Sequence, residues 1–92
     1  MLKVRYSARF KKDFKVIIKR GYDINIFEKV VGLLREEAPL PEKYRDHALI
    51  GNFTGHRSCH LTLDWLLIYK IEKDILTLSL TRTGTHSDLY KK

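Results

Sequence analysis

Cysteine occurs once in these 92 residues, so no intramolecular disulfide can brace the fold. Cys59 alternates with Leu61 and Leu63 and reads as a small core residue, not a reactive thiol. Long apolar runs are missing too: the longest strongly apolar stretch, "WLLIYKI", is far below the ~20 residues that cross a bilayer. The opening "MLKVRYSARF" lacks the apolar segment of a secretory signal. No membrane association is expected, and the cytoplasm is the expected location. Repeats, low-complexity tracts and linkers are absent, which predicts one domain over residues 1–92 with a single small core. Acidic residues are scarce: 11 Asp and Glu face 18 Lys and Arg, for a net charge of +7. The imbalance is steepest at the start, where Lys3, Arg5, Arg9, Lys11, Lys12, Lys15, Lys19 and Arg20 stand against Asp13 alone. Such a field suits polyanions: nucleic acid, an acidic protein or an anionic surface.

What is present falls into two halves with different periods. "LKVRY" alternates apolar and basic residues, as a short strand does. Ser7 is placed to cap a helix whose buried stripe is Phe10, Phe14, Ile17 and Ile18, with Gly21 as its stop and Lys11, Lys12, Lys15 and Lys19 on its outer sector. Asp23 caps a second helix with the stripe Phe27, Val30, Val31 and Leu34, and Pro39 and Pro41 prevent it from continuing. After "APLPEKYRDH" the period becomes 2. In "HRSCHLTLD", Cys59, Leu61 and Leu63 face one side and His56, Ser58, His60, Thr62 and Asp64 the other. "WLLIYKIE" and "ILTLSLTRT" form a hairpin about "EKD", with Leu76, Leu78 and Leu80 inward. Strict alternation would bury Arg82 with them, so the strand is expected to end or bulge there and turn the guanidinium to the rim. The order βααβββ predicts an α+β fold, a mostly antiparallel sheet covered on one face by a two-helix hairpin.

All four histidines, His47, His56, His60 and His86, lie in the strand-rich half. With Asp64 and Arg82 they would share the sheet face that the helices leave free. That set suits cleavage of RNA by its own 2′-hydroxyl, which needs a base, an acid and a cation for the phosphorane. Histidine serves either proton transfer near neutral pH. Arg82 and Arg57 are candidates for the charge, since a guanidinium forks onto two phosphate oxygens. Trp65 and Tyr90 could stack on unpaired bases. Each residue also has a structural alternative: core for Trp65, a turn for Asp64, a surface hydrogen bond for His47, a cap for His86. His56 and His60 are four apart on one strand face with Asp64, but in a strand that spacing is about 13 Å end to end, too far to chelate one ion. No metal and no cofactor are expected.

The segments "RDHALIGNFTGHRSCHLTLDWLLIYKI" and "LTRTGTHSDLY" resemble the signature of YafQ-like toxins, a branch of the RelE/ParE toxin superfamily of bacterial type II toxin–antitoxin systems. The similarity includes "SARFKKDFK" and runs over nearly the whole chain. It implies a ribosome-dependent endoribonuclease that cuts mRNA in the A site, held inactive by an acidic antitoxin and reaching operator DNA only through it. By the same resemblance His47, His60, Asp64, Arg82 and His86 match catalytic positions, and Arg57, Trp65 and Tyr90 substrate-binding ones. His56 stands where an aromatic is common and receives no catalytic role. The division of labour within the set is left open. Two other functions compete: a ParE-like inhibitor of gyrase, which needs no histidine cluster, and a non-catalytic nucleic-acid-binding module.

Overall fold

The computed structural model describes residues 1–90. Strand β1 (Lys3–Tyr6) leads into helix α1 (Ala8–Lys19), whose first turn is closed by the Ser7 hydroxyl accepting from the Phe10 amide. Gly21, at φ 78°, takes the left-handed conformation that stops it. Helix α2 (Ile24–Arg35) starts on Asp23, which accepts from the Asn25 amide. Four strands follow: β2 (His47–Ala48), β3 (Arg57–Thr62), β4 (Trp65–Glu72) and β5 (Thr77–Gly84), then a one-turn helix α3 (His86–Leu89). The sheet order is β1-β5-β4-β3-β2, antiparallel throughout except for the parallel β1/β5 pair. This is the α+β architecture expected, with two additions. A two-residue β2 is too short to show a period, and α3 is announced only by Thr85 and Asp88 at capping-box spacing.

The helix hairpin packs on one face. Phe10, Ile17, Phe27, Val30 and Leu34 meet Cys59, Leu61, Trp65, Leu67, Tyr69, Leu78 and Leu80 in one buried cluster. Each large side chain taken fully out of water there contributes roughly 1.5–3 kcal/mol. Cys59 is part of this cluster, and burial, with the Asp46 charge adding, pushes its thiol up to about 12. The second face is not bare: Leu66, Ile68 and Leu89, with Leu49 and Phe53 against them, form a smaller cluster under α3.

Three expected core residues are outside. Ile18 is 53% exposed because it sits about 80° around α1 from Phe10, at the margin of the stripe. Leu63 is 86% exposed because β3 shifts register between His60 and Thr62 and ends, leaving Leu63 in the turn. Leu76, 62% exposed, occupies the left-handed position at φ 49° that ends the β4–β5 turn. Helix α2 stops before its prolines: Glu37 turns left-handed at φ 55°, so Pro39 and Pro41 lie beyond an end already made. Near Arg82 the sheet does shift. Tyr69 opposes Leu80 while Ile68 opposes Arg82, leaving Thr81 as the extra residue, so Arg82 leaves the Leu78–Leu80 face and joins that of Ile68.

Candidate active site

The site lies where three strands end together on the second face. His60 on β3 opposes Leu66 on β4, and Leu66 opposes Gly84 at the end of β5. Two residues beyond Gly84 the chain folds back as α3, which brings the His86 ring centroid to 5.6 Å from that of His60. A direct line across two strand spacings would be ~10 Å. The corner is built by Thr85 and Asp88. The Thr85 hydroxyl accepts from the Asp88 amide at 3.2 Å and the Asp88 carboxylate accepts from the Thr85 amide at 2.9 Å. Arg20 donates to the same carboxylate at 2.7 and 3.2 Å, tying α3 to the end of α1 and holding the Asp88 carboxyl well below the usual range. Gly84 is required here: a Cβ on it would lie 2.9 Å from the Asp88 Cβ.

Asp64, in the β3–β4 turn, accepts from the His86 amide at 3.3 Å and from His86 Nδ1 at 2.8 Å. A carboxylate oxygen only accepts, so Nδ1 carries the proton and Nε2 is the free nitrogen. These bonds from His86 hold the Asp64 carboxyl below its ordinary value. His47, on β2 opposite Ser58, is set the same way: its Nδ1 lies 2.8 Å from the Arg45 carbonyl, which leaves Nε2 outward. His60 is half-buried, and desolvation lowers its proton affinity. The Leu63 backbone opposes that shift, while the positive fields of His86, Arg45 and His47 deepen it. Tyr90 is 43% exposed, its ring centroid 6.2 Å from that of His86 and 6.4 Å from that of Phe53.

The remaining candidates are engaged elsewhere. Arg82 donates from Nε and Nη2 to Asp13 of α1 at 2.8 and 3.1 Å, and its side chain is only 15% exposed. It is therefore not turned freely to the rim: the one acid of the basic N-terminal stretch holds it. Arg57 forks onto Asp46 at 3.0–3.3 Å, where the Tyr69 hydroxyl also donates, and its partner across the sheet is Tyr69 of the helix-covered face. Trp65 is wholly buried, its indole N–H donating to Thr83 at 2.8 Å and its ring edge-on to Tyr22, so base stacking gives way to a core role. His56 packs against Phe53 with ring centroids 6.2 Å apart. Among the described residues no group of three or more His, Cys, Asp or Glu side chains could hold a metal ion.

Two imidazoles, one fixed by a carboxylate and the other biased toward its neutral form, are arranged for paired proton transfer. A model of the bacterial toxin of type II toxin–antitoxin systems, YafQ, matches residues 2–91. The chain belongs to the YafQ toxin family. It is 40% identical over 88 residues to the mRNA interferase toxin YafQ of Escherichia coli K12, a match covering 95% of this chain and 94% of that one. The crystal structure of a metal-bound toxin from Helicobacter pylori superposes with a TM-score of 0.91 at 47% identity, covering 97% of this chain and 99% of that one. YafQ in the E. coli DinJ–YafQ complex superposes at 0.87 with 38% identity, covering 98% and 99%.

The sequence pattern missed the residues that set these side chains in place. Asp13, Asp46 and Asp88 each hold an arginine, and Arg45 holds His47 through its carbonyl. Only the Thr85/Asp88 spacing carried a local signal; the other partners lie far apart in sequence or in irregular backbone.

Proposed function

We propose that this YafQ-family toxin is an mRNA endoribonuclease that acts in the cytoplasm on ribosome-bound message and is silenced by an acidic antitoxin, as one domain. The observation that carries the reading is the His60–His86 pair with Asp64 on Nδ1 of His86. In this reading the RNA 2′-oxygen attacks phosphorus, the P–O5′ bond breaks, and the products are a 2′,3′-cyclic phosphate and a 5′-hydroxyl. His60, its proton affinity lowered chiefly by burial, takes the 2′ proton. His86 delivers a proton from Nε2 to the departing oxygen, while Asp64 holds the ring and stabilises the imidazolium. His47 presents Nε2 to the phosphate, and Tyr90 stacks on a base. Arg82 and Arg57 contribute positive field and hold their elements, since their forks are occupied by Asp13 and Asp46. No step calls on a metal. The antitoxin assignment is supported by the family and by the DinJ–YafQ complex, in which a related toxin is bound to its antitoxin.

Single-turnover cleavage of mRNA on ribosomes tests the reading. The upstream fragment is expected to end in a 2′,3′-cyclic phosphate or 3′-phosphate. Failure to cut, combined with inhibition of gyrase or simple protection of the RNA, would replace it with one of the two competing functions.

A further inference from the structure

Beside the histidine pair runs a groove of about 330 Å³. One wall is the turn Lys43–Tyr44–Arg45; the other is the end of β3, from His60 through Thr62 to Leu63. Here β2 pairs only with Arg57 and Ser58, so past Ser58 that edge of β3 faces the turn and not another strand. Its volume is at the small end of ligand-sized clefts. His60 belongs to both the groove and the reactive pair, so whatever fills the groove lies next to the reacting phosphate.

Unlike the three arginines that aspartates hold, the cations beside this groove are left to a ligand. Arg20, Arg57 and Arg82 are each bound two-pronged by an aspartate. Among the described residues Arg45 and Lys43 make no salt bridge, and the nearest aspartate in sequence, Asp46, is taken by Arg57 and Tyr69. Lys43 Nζ lies 5.2 Å from the centre of the Tyr44 ring. Arg45 sits at φ 48°, a left-handed backbone that is costly for a side chain of this kind, and the same turn presents its carbonyl to His47. Its field is already felt at His60. Leu63, 86% exposed at the mouth, offers an apolar surface to a base.

We infer that this groove is a subsite for the nucleotide adjoining the scissile bond, with Arg45 as its phosphate-binding residue. The inference rests on the ribonuclease reading and deepens it. Arg45 forks onto the non-bridging oxygens of the neighbouring phosphate, Lys43 adds a second charge, and the backbone turn couples that grip to the orientation of His47.

The probe is a fluorescent, uncleavable 2′-O-methyl RNA hexamer, titrated against the folded chain over a range of salt. Arg45→Gln keeps a Cβ and so the same backbone demand. It is expected to weaken the hexamer about 10-fold or more at low salt, the size of one hydrogen bond to a charged group, and to reduce the salt slope by roughly 0.7, the share of one single-strand phosphate. Lys15→Gln on α1, exposed and distant in the chain, should leave the slope in place. Arg45→Lys should restore the slope but not the full affinity, because the fork is lost. NMR titration of His60 should show its midpoint moving up in Arg45→Gln. An unchanged slope and affinity in Arg45→Gln, or no hexamer binding by the native chain, overturns the subsite while cleavage on ribosomes continues to support the ribonuclease. A native chain that binds the hexamer but never cuts message overturns the ribonuclease reading instead.

Discussion

In the proposed mechanism His86 is the residue on which the chemistry turns, because Asp64 fixes which nitrogen is free and because its ring stands beside His60. Replacing it with Gln keeps a polar side chain of similar size and removes the imidazole that would transfer the proton. Single-turnover cutting of mRNA is expected to slow by about 10²–10⁴-fold. Thermal unfolding should hardly move, since His86 is exposed. Asp64→Asn keeps an acceptor for Nδ1–H and loses only the charge, so its loss should be smaller. The pH dependence follows from His60. Its proton affinity is lowered, so the neutral form needed in a base persists below the ~6.5 of an ordinary histidine. The acid limb of the rate profile should accordingly fall below that value. His86→Gln removes a positive neighbour, and the His60 midpoint in NMR titration should rise. These residue types were legible in the chain: histidines gathered in one half, with Asp64 and the "TRTGTHSDLY" tail. The core position of Trp65 was one of its two readings, left open because an aromatic beside a turn has the same local pattern whether its ring points in or out.

The corner from β5 into α3 is the element that makes the site, and it depends on a tight set of contacts. Gly84→Ala would push a methyl to 2.9 Å from the Asp88 Cβ. Overpacking of this kind costs about 1–3 kcal/mol, so the denaturant midpoint should fall and cutting should fall with it as His86 is displaced. Asp88 ties the same corner to α1 through Arg20. Its carboxyl is depressed in the folded state, so between the folded value and the ~3.9 of the unfolded chain the unfolded state binds more protons. The stabilisation is therefore complete above the ordinary carboxylate range and is lost as pH falls through the folded value. Asp88→Asn should lower the unfolding temperature at pH 6, and the gap from the native chain should narrow as the buffer is taken to pH 3. The extra residue at Thr81 works at the same scale. It was foreseeable in kind, because an unbroken alternation would have buried Arg82, but its partner Asp13 lies 69 positions away and no local pattern joins the two.

Across the whole molecule the charge is +7, and the exposed Lys11, Lys12, Lys15 and Lys19 display much of it along α1. Fields of this kind act on encounter more than on lifetime. Raising the salt is therefore expected to slow association of the antitoxin markedly and to change dissociation little, as read by stopped-flow or surface-binding kinetics. An association rate indifferent to salt would assign recognition to apolar surface, of which Tyr6, Val16 and Ile18 expose 43–53% on and around the same helix.

The order of residues by itself determined the two helices, their caps and inward stripes, the change to a period of 2, and the chemistry available. All of these follow from neighbours within a few positions, where backbone hydrogen bonds and the alternation of side chains act. The tertiary structure alone decided which charges are free. Arg82 and Arg57 look identical to Arg45 along the chain, yet Asp13 and Asp46 bind the first two and nothing among the described residues pairs with the third. It likewise decided that β2 covers only part of β3, past which the groove runs beside His60, and that α3 folds back to bring His86 to it. The reason is physical: an ion pair or a groove requires that distant segments arrive at one place, and that is fixed by the packing of the sheet as a whole.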